Sequence, residues 1–354
     1  MLVEILLSLI LLWDGYFFLR YLLSLRKAYP TREWRPRVSV LIPAYNEEEN
    51  IEDAVKAALS QDYPSFEVIV VDDGSTDGTY ERALSIKDER LRVIRIDHGG
   101  KTRALNRGLQ ISGGEIVVTT DADGILEKNA LSRLVERFYS DDVVAVGGQV
   151  RVRGKTFLEL AQDIEHLRIA TFRRAKELDD LSLAPGPISA FRREALLRIG
   201  GFVNDLVEDY ATTLALKRIG RVVYAPKARV WVKMPSDLGA LWRQRKRWFL
   251  GDLPKLSSKP LKEKLVFVMS DLVALSDVLF PLAAILTGKF PLLLFFLVLE
   301  WAMMYLIVRE EGGTILEVLL FPIILWFWAA FYLSLHIYGL IRYTFGKGTE
   351  IGWN

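Results

Sequence analysis

The middle of the chain, from Arg37 to about Pro226, alternates short apolar runs with segments of helical periodicity. Four runs rich in Val and Ile predict buried strands, at Val38–Ala44, Glu67–Asp73, Leu91–Asp97 and Glu115–Asp123. Between them lie predicted helices, including one over Glu47–Ser60 capped by Asn46 and one over Lys101–Gln110. Continuous β-branched runs separated by helices predict an α/β fold, with a mostly parallel sheet and helices on both of its faces.

Both ends of the chain are apolar over longer stretches. Residues 1–25 are long enough for a helix that crosses a bilayer, which needs roughly 20 residues. This stretch lacks the basic start and the small-residue cleavage site of a signal peptide, so a retained anchor is favoured. Three C-terminal segments are candidate spans, at Leu265–Gly288, Phe290–Val308 and Ile315–Ile341. One of these three is left open as an interfacial or re-entrant segment.

Charges beside the apolar segments predict the orientation of the chain. Basic residues follow the anchor at once, at Arg26, Lys27, Arg32, Arg35 and Arg37, which places the α/β domain in the cytoplasm. We therefore expect a multi-pass protein of the cell membrane, with an anchor at 1–25, a cytoplasmic domain at 37–235, an amphipathic helix at 236–257 and a membrane region at 264–345. One span followed by three would put the C-terminus outside, whereas Arg342 and Lys347 favour the inside.

Composition narrows the functional classes. Hydrophobic residues make up 51% of the chain, which agrees with membrane segments beside a soluble domain. Lys and Arg number 46 against 44 Asp and Glu, a balance that excludes a nucleic-acid binder acting through bulk charge. With no cysteine, the chain has no disulfide framework, zinc finger or thiol nucleophile.

Carboxylates follow the predicted strands, where parallel sheets bind their ligands. Asp121 and Asp123 end the fourth strand, and alternate residues of an extended chain point the same way. Two hard oxygen ligands on one side suit Mg²⁺ or Mn²⁺ carried by a diphosphate, although a solvated turn would also account for them. Asp73 follows the second strand, where it can face a nucleotide base or cap the next helix. The chain contains neither a G-x-G-x-x-G dinucleotide motif nor a P-loop.

Three further groups have both a chemical and a structural interpretation. Lys101 begins a predicted helix after two glycines, where it could meet a phosphate or be a surface lysine. His98 beside it is interpreted as a loop histidine. Glu208 and Asp209 begin another helix, whose dipole alone would favour carboxylates, and a general base for a hydroxyl is the alternative.

The segment Leu238–Leu250 is basic and amphipathic. Gln244, Arg247 and Trp248 share one face at helical spacing. Arg243 and Lys246 are typical of an interfacial helix on anionic lipid. Such a helix does not by itself account for Gln and Trp on an inward face.

The ordered set of motifs resembles the membrane-bound, inverting family 2 glycosyltransferases, such as hyaluronan, chitin-oligosaccharide, poly-N-acetylglucosamine and cellulose synthases. The motifs are VSVLIPAYNEEENI, VVDDGSTDGT, GGKTRALNRGL, TTDADG, PGPISAFRREAL, VEDYATTLAL and WRQRKRW, which together cover about Val38–Leu250. The resemblance implies a GT-A domain between transmembrane segments. Two departures are Val207, where cellulose synthases carry Thr, and fewer spans than polymer-exporting synthases have, which puts a self-made pore in doubt.

The resemblance also implies a role for each matching residue. Donor-binding roles fall to Tyr45, Glu47, Asp73, Lys101, Asp121 and Arg247, and the metal is assigned to Asp121 and Asp123. Asp209 is implied as the catalytic base, and acceptor-binding roles fall to Gly186, Pro187, Glu208, Gln244 and Trp248.

The resemblance implies that the chain transfers a sugar from a UDP-linked, nucleoside-diphosphate donor to a hydroxyl of a glycan acceptor. The reaction would use Mg²⁺ or Mn²⁺, and its product would be a β-linked polysaccharide or oligosaccharide. Transfer of one sugar to a polyprenyl phosphate or another lipid, and an idle sugar-binding membrane scaffold, are the alternatives. The partners expected are the nucleotide sugar, a glycan or lipid-linked acceptor and membrane lipid, with no nucleic acid; a homo-oligomer is left open.

Overall fold

A computed structural model describes residues 1–26, 30–154, 156–177, 183–205, 207–252 and 261–345. The chain divides into two compact units, one of 20–236 and one that combines 1–19 with 237–354. The first is an α/β domain, and the second is built from helices.

The α/β domain is built on an eight-stranded sheet in the order β3-β2-β1-β4-β7-β6-β8-β5. Its strands are β1 (Val38–Ala44), β2 (Phe66–Asp72), β3 (Leu91–Arg95), β4 (Ile116–Thr119), β5 (Ile125–Leu126), β6 (Val143–Val152), β7 (Ser189–Arg192) and β8 (Arg221–Val232). The four strands predicted from sequence form the parallel half, with β1 between β2 and β4. In the other half, β7 runs antiparallel to β4 and β6, and β5 antiparallel to β8.

Helices cover both faces of this sheet, as predicted. They are α2 (Ile51–Leu59), α3 (Thr79–Ser85), α4 (Lys101–Ile111), α5 (Ala130–Val135), α6 (Phe157–Glu177), α7 (Arg193–Arg198) and α8 (Glu208–Leu216). One apolar core joins α2 and α5 to alternate residues of the central strands, and a second core joins α4 and α7 to the opposite residues. Because both faces are buried, the inner residues of β1, β2 and β4 are mostly apolar, and the buried Ser39 and Glu67 pair with each other at 2.8 Å.

Two local predictions at the strand ends are wrong. Helix α2 begins at Ile51 rather than Glu47, because Asn46 adopts a left-handed conformation with φ 54° and starts a turn. Strand β4 ends at Thr119, and Asp121–Asp123 lie in a turn in which the Gly124 amide donates to the Asp121 carbonyl at 3.0 Å. The two aspartates are therefore not presented by an extended strand.

The helical unit contains α9 (Leu238–Asp252), α10 (Leu261–Leu286), α11 (Phe290–Glu311) and α12 (Ile315–Phe345), together with the first part of α1 (Leu2–Arg26). Among the described residues, three helical stretches are long and apolar enough to cross a membrane, at Leu2–Arg26, Phe290–Glu311 and Ile315–Gly339. Helix α10 adds a shorter apolar stretch at Leu272–Leu286. The rest of the predicted segment at 265–288 includes side chains outside those described.

Candidate active site

The loops after β1 and β2 are joined side by side at one end of the sheet. Asn46 accepts a hydrogen bond from the Thr76 amide at 2.9 Å, and the Glu47 amide donates to the Thr79 hydroxyl at 2.8 Å. The left-handed conformation of Asn46 thus has a structural cause, because the Asn46 side chain accepts the Thr76 amide of the neighbouring loop. This bracing fixes the backbone on which Tyr45 and Glu47 are presented.

Asp73 holds the loop that leads into α4. Its two carboxylate oxygens accept the amides of Gly99 and Gly100 at 2.9 and 2.7 Å, and its side chain is buried. Gly100 has φ 91°, a conformation that favours glycine and turns the chain into the helix. Asp73 therefore sets the position of Lys101, the first residue of α4.

Tyr45 and Asp73, both predicted to bind the nucleotide, meet at His98. The imidazole stacks on the Tyr45 ring with 4.2 Å between centroids, and its Nδ1 lies 2.9 Å from Asp73 Oδ2. Sequence reasoning set His98 aside as a loop histidine. The sequence feature that could have pointed to these contacts is the position of His98 directly before the two glycines that Asp73 binds.

Lys101 joins residues from three parts of the chain. Its Nζ lies 2.7 Å from Asp121 Oδ1 and 3.0 Å from Glu208 Oε1. Burial disfavours the ammonium, but the two carboxylates outweigh this effect and raise the pKa of Lys101 above its ordinary value. Lys101 is therefore a permanent cation. Glu208 contacts this lysine, and its acceptor-binding role stays a prediction.

Asp123 lies in a surplus of negative charge. Burial, followed by the carboxylates of Asp121 and Glu47, raises the pKa of Asp123 to about 6, and the Arg153 guanidinium opposes this only in part. Arg153, which sequence reasoning missed because β6 was not traced, donates to the Asp123 carbonyl at 3.0 Å. A cation would relieve the repulsion among these carboxylates.

The donor set fits a divalent cation that is shared with a substrate. Asp121 and Asp123 offer the hard oxygen ligands that Mg²⁺ and Mn²⁺ prefer. Within the described part of the chain, no group of three or more His, Cys, Asp or Glu side chains is arranged to hold a metal by itself. A metal here would complete its coordination with other oxygen ligands, such as a diphosphate or water.

Asp209 lies in the first turn of α8, where two amides orient its carboxylate. Its Oδ2 accepts the Gly186 amide at 2.8 Å, and its Oδ1 accepts the Tyr210 amide at 2.7 Å. Burial and the neighbouring Glu208 raise the pKa of Asp209, while these amides and Lys101 act in the opposite direction. A raised pKa makes this carboxylate a stronger base than an exposed aspartate.

Gly186 lies where Asp209 and Lys101 come together. A Cβ at this position would be 3.3 Å from Lys101 Nζ, 3.5 Å from Asp209 Oδ2 and 3.8 Å from Glu208 Oε1. Gly186 and Pro187 form a turn just before β7, which pairs with β4 and brings this turn to the same end of the sheet. The structure thus places Lys101, Glu208 and Asp209 around Gly186, and Asp121 joins them through its contact with Lys101.

The remaining predicted residues belong to α9 in the helical unit. Gln244 is half-buried and Arg247 is exposed, and the side chain of Trp248 lies outside those described. Arg245 is the most buried polar side chain of α9 among those described, and the sequence did not predict a role for it. Its guanidinium lies 5.4 Å from the ring centroid of Trp328 on α12. Trp242 also packs on α12, edge to face with Phe331 at 5.6 Å.

Comparison with known proteins gives one family. Residues 39–200 match the model of the family described as "Glycosyl transferase family 2". The poly-beta-1,6-N-acetyl-D-glucosamine synthase of Staphylococcus aureus (strain COL) is 33% identical over 222 residues, which cover 60% of this chain and 54% of that enzyme. The synthase of the same name from Staphylococcus epidermidis is 32% identical with the same coverage. The chain thus spans about half the length of the curated relatives it matches.

A solved structure supports the fold over nearly the whole chain. The mannosyltransferase PcManGT from Pyrobaculum calidifontis, solved in complex with GDP-Man and Mn²⁺, superposes with a TM-score of 0.64 at 24% identity. The match covers 98% of this chain and 100% of that one. With the mixed sheet, the helices on both faces and the motif order, these findings confirm a GT-A-like fold with added apolar helices. Residues 39–200 therefore form a domain similar to those of glycosyl transferase family 2.

Proposed function

We propose that the chain is a metal-dependent, inverting glycosyltransferase of the membrane, which transfers a sugar from a nucleoside-diphosphate donor to a hydroxyl of a glycan acceptor. The observation that carries this proposal is that Asp209 and Lys101 lie beside the same residue, Gly186. A Cβ at Gly186 would be 3.5 Å from Asp209 Oδ2 and 3.3 Å from Lys101 Nζ. A base and a cation so close together can serve the two ends of one displacement.

In the proposed reaction, Asp209 accepts the proton of the acceptor hydroxyl as the hydroxyl oxygen bonds to C1 of the sugar. The bond between C1 and the diphosphate oxygen breaks, and its electron pair leaves with the nucleoside diphosphate. Lys101 stabilises the negative charge that develops on this leaving group. Attack from the face opposite the diphosphate inverts C1, so an α-linked donor gives a β-linked product.

Asp123 and Asp121 are the residues that would hold Mg²⁺ or Mn²⁺. The ion would supply Lewis-acid stabilisation of the diphosphate. The surplus of carboxylates around Asp123 supports this assignment. Tyr45, Asp73 and His98 form the proposed surface for the nucleoside, and Gly186 and Pro187 border the proposed acceptor site.

The acceptor distinguishes two candidate reactions. A polyprenyl phosphate is already an anion at neutral pH and needs no base, whereas a sugar hydroxyl does. The buried Asp209, with its raised pKa, therefore favours a hydroxyl acceptor. The relatives at 32–33% identity are named as synthases of an N-acetylglucosamine polymer, which supports a glycan product.

We further propose that the chain is a multi-pass membrane protein with its catalytic domain in the cytoplasm. Three described helices are apolar and long enough to span a bilayer. The basic residues that follow the first of them support a cytoplasmic domain. In this proposal α9 lies at the membrane surface, and the roles that the family resemblance implies for Gln244, Arg247 and Trp248 stay predictions.

The full chain, purified in detergent or kept in membrane vesicles, tests the proposal directly. It is incubated with Mn²⁺ and radiolabelled UDP-GlcNAc, UDP-glucose or GDP-mannose, and the products are sized. We expect one donor to release nucleoside diphosphate and give a ladder of β-linked, glycosidase-sensitive products. A single sugar on an extractable lipid would favour the polyprenyl alternative, and no turnover of any donor would favour a sugar-binding scaffold.

A further inference from the structure

The ammonium of Lys101 is shared between two carboxylates with different proposed roles. Asp121, at 2.7 Å, belongs to the proposed metal site, and Glu208, at 3.0 Å, precedes the proposed base. The two are 87 residues apart in the sequence, so this arrangement is a product of the fold. Asp73 fixes the backbone before Lys101 by accepting the two glycine amides, so the lysine side chain extends from a fixed point.

The lysine neutralises Asp121 in the way that a metal ion would. Asp121 has a cation at contact distance, while Asp123 depends on a guanidinium that contacts its backbone carbonyl. A divalent ion bound to Asp121 would lie close to the ammonium, and the two like charges would repel each other. Lysine and metal therefore compete for Asp121. Glu208 is the carboxylate on which the ammonium can remain when it leaves Asp121.

We propose that Lys101 holds the place of the divalent cation on Asp121 until the metal and donor bind, and that Glu208 is a positioning residue that retains the displaced ammonium in the site. This inference rests on the proposed function, in particular on the metal site at Asp121 and Asp123. The exchange keeps Asp121 neutralised at every stage, and it leaves Lys101 beside the leaving group.

Binding of Mn²⁺ to the purified full chain, without nucleotide or sugar, tests this exchange apart from catalysis. Free Mn²⁺ is measured from its electron paramagnetic resonance signal. Removing the competing ammonium in Lys101→Met should tighten Mn²⁺ binding at least about fivefold. Glu208→Gln should weaken it, because the ammonium is then no longer shared and stays on Asp121.

The double variant separates an effect through Lys101 from an effect of the Glu208 charge itself. If Glu208 acts through the lysine, Glu208→Gln has little effect on Mn²⁺ binding in the Lys101→Met background. Lys56→Met and Glu52→Gln are matched controls, since these residues form a comparable ion pair at 2.6 Å on the exposed face of α2. Thermal unfolding of each variant shows that it is folded.

Three results would overturn the inference. Unchanged Mn²⁺ affinity in a folded Lys101→Met variant would show that lysine and metal do not compete. An equal effect of Glu208→Gln in both backgrounds would show that Glu208 acts by its own charge. If the unaltered chain binds no Mn²⁺ and turns over donor without metal, the metal assignment in the proposed function fails, and the inference fails with it.

Discussion

Replacing Asp209 with asparagine removes the proposed base with the least change in shape. Asparagine keeps an oxygen that can accept the Gly186 amide, which donates to Asp209 at 2.8 Å. The variant loses the ability to take up the acceptor proton, together with the hydrogen bond from the Tyr210 amide, since asparagine has only one side-chain oxygen. General-base catalysis contributes about 10²–10⁴-fold to a rate, so we expect kcat to fall by this factor, equivalent to about 3–5 kcal/mol. Donor and Mn²⁺ affinities should change little.

The same substitution should not destabilise the protein. The folded pKa of Asp209 is raised, chiefly by burial, so its stabilising contribution is complete only below the unfolded pKa, near 3.8. That contribution is lost as the pH rises through the folded pKa. At pH 7 the unaltered chain carries the cost of a buried carboxylate that asparagine avoids. The Tm of Asp209→Asn should therefore equal or exceed that of the unaltered chain at pH 7.

Initial rates with labelled donor, equilibrium donor binding and thermal unfolding, all with the full chain in detergent, separate these effects. For the unaltered chain, the acid limb of kcat/KM should lie above pH 3.8, and activity should fall as Asp209 takes up its proton. Asp53→Asn, on the exposed face of α2, is the matched control and should keep normal turnover. If Asp209→Asn turns over at nearly the normal rate, another group accepts the proton and the base assignment is wrong.

Three other perturbations act on separate parts of the domain. Gly186→Ala places a methyl group 3.3 Å from Lys101 Nζ and 3.5 Å from Asp209 Oδ2. We therefore expect kcat/KM for the acceptor to fall about tenfold or more with Tm nearly unchanged. Normal kinetics would mean that this position does not face the reacting groups. Burial and neighbouring carboxylates raise the pKa of Asp123 to about 6, so protons should compete with the metal and the half-saturating Mn²⁺ concentration should rise as the pH falls below about 6. A chelator should stop the reaction. Activity that changes with neither pH nor chelator would contradict the metal site. Asp163→Ala removes the buried carboxylate that binds Arg151 at 2.6 Å. This should lower the free energy of unfolding by about 3–5 kcal/mol and lower the Tm. An unchanged Tm would show that this pair does not stabilise the fold.

The parallel half of the fold was predictable because burial on both faces leaves a strong pattern. Strand β1 occupies Val38–Ala44 as predicted, and all seven of its residues are apolar or small. The other half of the sheet, in which β6 and β8 are parallel and β7 and β5 run antiparallel to their neighbours, leaves a weaker pattern. Strand β7 has four residues and ends in Arg192, and β5 has two, so neither run is long enough to show a periodicity. Their places in the sheet depend on partners far away in the sequence.

The candidate site follows the same division. The motif order indicated which residues matter, and the carboxyl ends of the strands indicated where Asp73 and Asp121 lie. The sequence did not show that Lys101 contacts Glu208, because that contact depends on how α4 and α8 pack on the sheet. Nor did the pattern of α9 show that Arg245 is buried, since a long cationic side chain on an amphipathic helix is usually exposed, and its burial here depends on Trp328.

Asp73 gives both carboxylate oxygens to the amides directly before Lys101. A nucleobase that donates a hydrogen bond to this carboxylate must share the carboxylate with the two glycine amides or displace them. In the second case Lys101, which follows these glycines, would move with the loop. Under the proposed function, binding of the nucleoside base and stabilisation of its phosphates would thus be coupled through the Asp73 side chain. In such an enzyme, a change of donor base cannot be made at the base pocket alone; it calls for compensating changes in the two glycines and in the reach of the lysine that follows them.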